Sequence, residues 1–174
     1  MHAASCLSQV VDGSTGTLRN EPPQNMQYTQ KGWLPLWVWM VLIFIVSTGL
    51  GSAEHTSLIV EPLLRWLNPH ISVAAIEQAH FYIRKTAHFT EYAVLALLAL
   101  RALIFSWPAS FRDHYWQFAG WALLITAAYA ASDEWHQSFV PGRTASPIDV
   151  LSDTTGGLAA LILATLWRKA RGIR

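Results

Sequence analysis

Apolar residues fall into four long runs: Trp33 to Leu50, Ala87 to Trp107, Trp116 to Ser132 and Ile148 to Trp167. Each is about 17 to 21 residues, enough for a helix rising roughly 1.5 Å per residue to cross about 30 Å of hydrocarbon. Between the first two runs, residues 51 to 84 change pattern. Leu58, Ile59, Leu63, Leu64, Trp66, Leu67, Ile71, Val73, Ile76 and Ile83 are interleaved with Glu54, Glu61, Arg65, Glu77 and Arg84. This predicts one or two amphipathic helices, broken at Asn68-Pro69, that lie on the membrane or cover polar groups. The expected fold is an all-α polytopic membrane protein: four transmembrane helices with an amphipathic helical outer loop.

Residues 1 to 30 are rich in Ser, Thr, Gly, Asn and Gln and predict a disordered polar tail without a secretory leader. Residues 31 to 170 form the membrane domain, and residues 171 to 174 a basic end. Composition agrees: the chain is 52% hydrophobic and only 13% charged, with nine Trp, whereas a soluble domain averages about 25% charged. A net charge of +1 gives no reason to expect a nucleic-acid partner. The lone Cys6 excludes a disulfide within one chain and lacks the preceding apolar run of a lipid-anchored cysteine.

With four spans both termini share a side. That side collects Arg19, Lys31, Arg101, Arg112, Arg168, Lys169, Arg171 and Arg174, against Arg65, Arg84, Lys85 and Arg143 opposite. The excess of basic residues puts both termini in the cytoplasm, with Trp33, Trp37, Trp39, Trp107, Trp116 and Trp167 near the inner boundary. Eight of the eleven acidic residues then lie in the outer half.

Three polar runs interrupt the apolar pattern where span two starts, span three ends and span four starts. Four crossings bring all three to one face. In the first, Arg84, His88 and Glu91 recur at helical spacing with Lys85 and Tyr92 beside them. Lys85 and Arg84 also suit interfacial anchoring and His88 a packed core position, whereas a carboxylate at Glu91 belongs inside the bundle. In the second, Asp133 and Glu134 are adjacent acids that oppose each other's ionisation, so either one holds a proton near neutral pH or both pair with Arg143 and Lys85. At a helix C-terminus the dipole disfavours acids, which points to a compensating local cation. Gln137 shares the face of Asp133, and Trp135 draws His136 towards the interface.

Pro141-Gly142-Arg143 reads as a tight turn in which only Arg143 is not required by the turn itself. Its guanidinium suits a carboxylate or phosphate. Ser146-Pro147-Ile148-Asp149 has the form of a helix start, which explains Asp149 as readily as a site role does. Asp153 lies one turn deeper, followed by Gly156-Gly157, where small side chains permit close helix packing.

Together, Lys85-x-x-His88-x-x-Glu91-Tyr92, Asp133-Glu134-x-x-Gln137-x-Phe139-x-Pro141-Gly142-Arg143 and Ser146-x-x-Asp149-x-x-x-Asp153-x-x-Gly156 resemble the VanZ-like family over about residues 33 to 170. The chain departs from that pattern at Asp153, where many members carry Asn. The resemblance implies a small multi-pass protein of the bacterial cytoplasmic (inner) membrane, of a family named for a member associated with teicoplanin resistance, and it implies no particular reaction. Two readings follow. The first is an envelope protein that engages an anionic lipid or cell-wall precursor head group, with Lys85, His88, Tyr92, Gln137, Arg143, Asp149 and Asp153 as ligand-binding residues, and affects glycopeptide susceptibility. The second is a membrane-embedded hydrolase or transferase acting on a lipid-linked substrate, with His88, Glu91, Asp133, Glu134 and Asp149 as catalytic candidates and His136 beside them. Those side chains could also ligate a divalent metal, but no compact metal signature is present, and no cofactor is firmly implied.

Overall fold

The computed structural model describes residues 8–11, 18–21, 24–50, 53–107, 114–140 and 145–172. Within the N-terminal segment, β1 (Ser8–Val11) pairs antiparallel with β2 (Leu18–Glu21), Ser8 opposite Glu21. Five helices follow: α1 (Gln24–Ile45), α2 (Ala53–Leu67), α3 (Val73–Ser106), α4 (Tyr115–Gln137) and α5 (Pro147–Ala170). α1 runs directly into a π-helical turn, Val46–Leu50.

Three stretches are long and apolar enough to cross a membrane: Gln30–Thr48, Val73–Ser106 and Pro147–Ala170. α4 is not among them. At 23 residues it has the length, but Gln117, Gly120, Ser132, Asp133, Glu134, His136 and Gln137 lower its apolarity. It nevertheless packs against both α3 and α5 in the same bundle.

The outer connection divides as its sequence predicts. α2 stops at Leu67, Asn68 accepts the amide of His70 through its Oδ1, and Ser72 caps α3 by accepting the amide of Ala75. The second amphipathic piece does not end before the span, however. α3 continues unbroken for 34 residues, because nothing between Val73 and Ala87 breaks a helix. On α2, Leu58, Leu63, Trp66 and Leu67 remain exposed, which suits a helix lying on a lipid surface.

The core lies where α3 meets the other three bundle helices: Leu36 and Ile43 from α1, Tyr92, Leu95, Ala96, Ala99 and Leu103 from α3, Ala122 and Ala130 from α4, and Leu161 from α5. Glycines set the spacing. A Cβ on Gly156 would fall on the backbone carbonyl of Phe89, and one on Gly157 would come within 2.9 Å of Thr126 Cγ2. α5 therefore approaches α3 more closely than any side-chain-bearing residue there would allow. Trp39, expected in an interfacial belt, is instead partly buried and donates its indole N–H to the carbonyl of Glu91, 2.9 Å away. Trp37, Trp107, Trp116 and Trp167 remain exposed.

Candidate functional site

α3 and α5 begin at the same end of the bundle, where α4 finishes and the π turn of α1 arrives. Two rungs join α3 to α5 there. The Lys85 ammonium pairs with Asp149, and one turn deeper His88 Nδ1 stands 3.7 Å from Asp153 Oδ2. Lys85 and Asp149 are about one quarter exposed, whereas Asp153 is buried, so the ladder leads from the rim into the bundle.

Beneath the ladder, Asp133 is a hub. Its Oδ2 accepts from Ser47 Oγ at 2.9 Å, from Tyr92 OH at 3.1 Å and from Gln137 Nε2 at 2.9 Å. Three helical elements thus meet on one carboxylate oxygen, since Ser47 belongs to the π turn, Tyr92 to α3, and Asp133 and Gln137 to α4. Glu134 Oε2 accepts the backbone N–H of Ser146 at 2.9 Å. In a capping box that amide would be served by an acid three residues into its own helix. Here α4 supplies the acid, and Asp149, at the expected position, is taken by Lys85. Ser146 completes the helix start by accepting the amide of Ile148.

Glu91 departs from the expected convergence. It is half-buried and lines an outward groove of about 580 Å³ between α1 and α3, with Trp39, Thr86 and Thr90. It still acts electrostatically on His88, as do Asp153 and Asp133. His136 packs its ring against Phe44 of α1, centroids 4.6 Å apart, and Arg84 is exposed. Arg143, with Pro141 and Gly142, lies outside the described residues. The structure thus brings together Lys85, His88, Tyr92, Asp133, Glu134, Gln137, Asp149 and Asp153.

Ser47 joins them without having been a candidate. A lone hydroxyl in an apolar helix ordinarily bonds its own preceding turn, as Thr126 does to the carbonyl of Ala122. The π turn, a local feature frequent at functional sites, instead presents Ser47 to Asp133. Among the described residues, no three His, Cys, Asp or Glu side chains converge as a metal site.

Chemically, the rim offers an ammonium held by a carboxylate it can exchange for another anion, and the next layer offers an imidazole oriented by a buried carboxylate. The floor offers Asp133, whose Oδ2 is occupied by hydroxyl and amide donors and whose buried Oδ1 accepts no hydrogen bond among the described residues. Such a site can hold a ligand with an anionic group at the mouth and hydrogen-bond donors below, or move a proton at His88. Comparison with curated proteins and with solved structures gives no match. The VanZ/LLP1 family model matches residues 33–168, which hold the whole polar ladder and its hub, and the chain belongs to that family.

Proposed function

We propose that this protein crosses the bacterial cytoplasmic membrane four times, with both termini in the cytoplasm, and engages the anionic head group of a lipid or lipid-linked cell-wall precursor at the outward end of its bundle. The observation that carries this reading is the partly exposed Lys85–Asp149 rung above the more buried His88–Asp153 rung. A phosphate displaces Asp149 from Lys85, while sugar hydroxyls or amides of the same head group donate to the freed Asp149 and to Asp153 below it. This division accounts for a site richer in carboxylates than in cations, since a head group carries both an anion and many donors. Occupancy of a cell-wall precursor would in turn alter glycopeptide susceptibility, teicoplanin included.

A parallel α3 and α5 supports the fourth crossing. Both helices start at the polar end, so the chain must return between them, and α4 makes that return. A second reading is favoured by the pairing of His88 with Asp153, a base held by an acid. It is a membrane-embedded hydrolase or transferase, with or without a metal, acting on a lipid-linked substrate.

Mass spectrometry of envelope lipids from cells with and without the protein separates the two. Under the binding reading the lipid profile is unchanged, and both Lys85→Gln and Arg143→Ala abolish any change in teicoplanin tolerance that the protein confers. A new or missing modified lipid, lost again in His88→Ala, would replace binding by catalysis.

A further inference from the structure

The opposite end of the bundle carries a second lipid-facing feature. A groove of about 330 Å³ runs between the start of α4 and the end of α5, walled by Trp116, Gly120 and Leu123 on one side and by Leu158, Ile162 and Lys169 on the other. On α4 it spans two helical turns, about 10 Å of axis. Its wall is apolar except for Thr165, whose hydroxyl is engaged by Tyr115 and the Leu161 carbonyl, and the mouth, where Lys169 Nζ stands 5.9 Å from the ring centre of Trp116.

The surroundings of that mouth are basic. Arg168 lies 4.0 Å over the ring of Tyr115, and Arg171 lies 4.4 Å over the ring of Trp167. Among the described residues neither Lys169 nor Arg171 forms an ion pair; both rest on aromatic rings. Every acidic residue of the described helices belongs to α2, to α3 as far as Glu91, to the last turn of α4 or to the first two turns of α5. No described helix therefore supplies a carboxylate at this end. Cations near a helix C-terminus are favoured by the helix dipole alone, which explains their presence on α5. It does not explain a groove beside them, nor the absence of any side chain at Gly120, where an added Cβ would meet nothing within 4 Å.

We propose that this α4–α5 groove is a binding site for an anionic phospholipid of the surrounding bilayer, its phosphate at Lys169 and one acyl chain along Gly120, Leu123, Leu158 and Ile162. Basic pockets between membrane helices bind such head groups because ammonium and guanidinium groups meet phosphate in a partly dehydrated layer. Trp116 and Trp167 mark that layer, since indole rings settle at the boundary of lipid and water. The site is independent of the polar ladder, and its ligand is a resident lipid rather than the ligand proposed for the ladder.

The test is native mass spectrometry of the purified full chain in detergent, titrated with phosphatidylglycerol and with phosphatidylcholine of the same acyl chains. The wild type retains phosphatidylglycerol preferentially. Lys169→Gln lowers that retention about fivefold, the effect expected of one basic residue at a lipid surface, and Gly120→Leu, which fills the open floor, lowers retention of both lipids without lowering the unfolding temperature. Equal retention of the two lipids by the wild type overturns the proposal, as does unchanged phosphatidylglycerol retention in Lys169→Gln. Should Gly120→Leu disturb folding, the exposed Lys169 still decides the outcome.

Discussion

Asp133 holds more of the bundle together than any other single side chain at the polar end. An ionised carboxylate facing lipid would be costly, but Asp133 is buried and accepts from Ser47, Tyr92 and Gln137. Hydrogen bonds between membrane helices average only about 0.6 kcal/mol each, so the hub matters through their number. Ser47→Ala removes one donor and is expected to cost about 0.6 kcal/mol. Asp133→Ala strands three donors at once and is expected to cost roughly 2 kcal/mol, since a buried donor without an acceptor is penalised beyond the lost bond. Unfolding of the purified variants in detergent measures both. Equal losses for the two would mean that Asp133 does not organise the other three groups. Glu134 gives a different lesson at the same scale: a carboxylate beside a candidate site is engaged in capping α5, so loss of function in Glu134→Ala would not by itself indicate chemistry.

Between elements, the α3–α5 contact decides whether the two rungs form. Lys85 and His88 on α3 reach Asp149 and Asp153 on α5 only because Gly156, one turn deeper, lets the backbones close up. Gly156→Ala puts a methyl group onto the carbonyl of Phe89, and backbone inside a packed helix has little room to yield. The expected cost is about 1–3 kcal/mol, with the rungs pulled apart, so the variant should lose stability and ligand engagement together. Gly120→Ala, facing open space, is the control and should lose neither; a Gly156→Ala protein as stable as the control would contradict the close approach. Much of this contact was legible in the sequence. The i, i+4 spacing of Asp149 and Asp153, the small residues after them and the Ser-Pro helix start all pointed to one face of α5. Ser47 was not legible, because its direction depends on a π turn that no residue type announces. Glu91 was misjudged for a related reason: one residue of helix phase separates a position facing the ladder from one facing the α1–α3 groove, and Tyr92 rather than Glu91 turned out to hold the inward position. The extent of α3 was also missed, since apolarity marks where a span could start but not whether the preceding amphipathic helix stops.

For the whole molecule, the arrangement of ends constrains topology more tightly than apolarity does. At its start α4 bonds Thr165 near the end of α5 through Tyr115 and stacks Phe118 on Trp107 at the end of α3, while near its end Asp133 bonds Tyr92, earlier on α3, and Glu134 accepts the amide of Ser146 at the start of α5. α4 is therefore antiparallel to both neighbours over the depth that they occupy. Trp33 reaches Ser106 near the end of α3, and Trp39, further along α1, reaches Glu91, earlier on α3, so α1 is antiparallel to α3 as well. If α1, α3 and α5 cross a bilayer in this packing, α4 must cross beside them even though it is the least apolar of the four. Its Asp133, Glu134 and Gln137 are buried against other helices, which is how a segment of modest apolarity remains inside a membrane. The expected outcome is that reporters fused to the two termini fall on the same side. Green fluorescent protein at either end should fluoresce in the cytoplasm, whereas alkaline phosphatase should be active when inserted in the α2–α3 or the α4–α5 connection and inactive at either terminus. A phosphatase active at the C-terminus, with an N-terminal fluorescent fusion, would mean an odd number of crossings. The antiparallel packing of α4 would then have to form outside the bilayer, and the polar ladder could not open to the envelope as proposed.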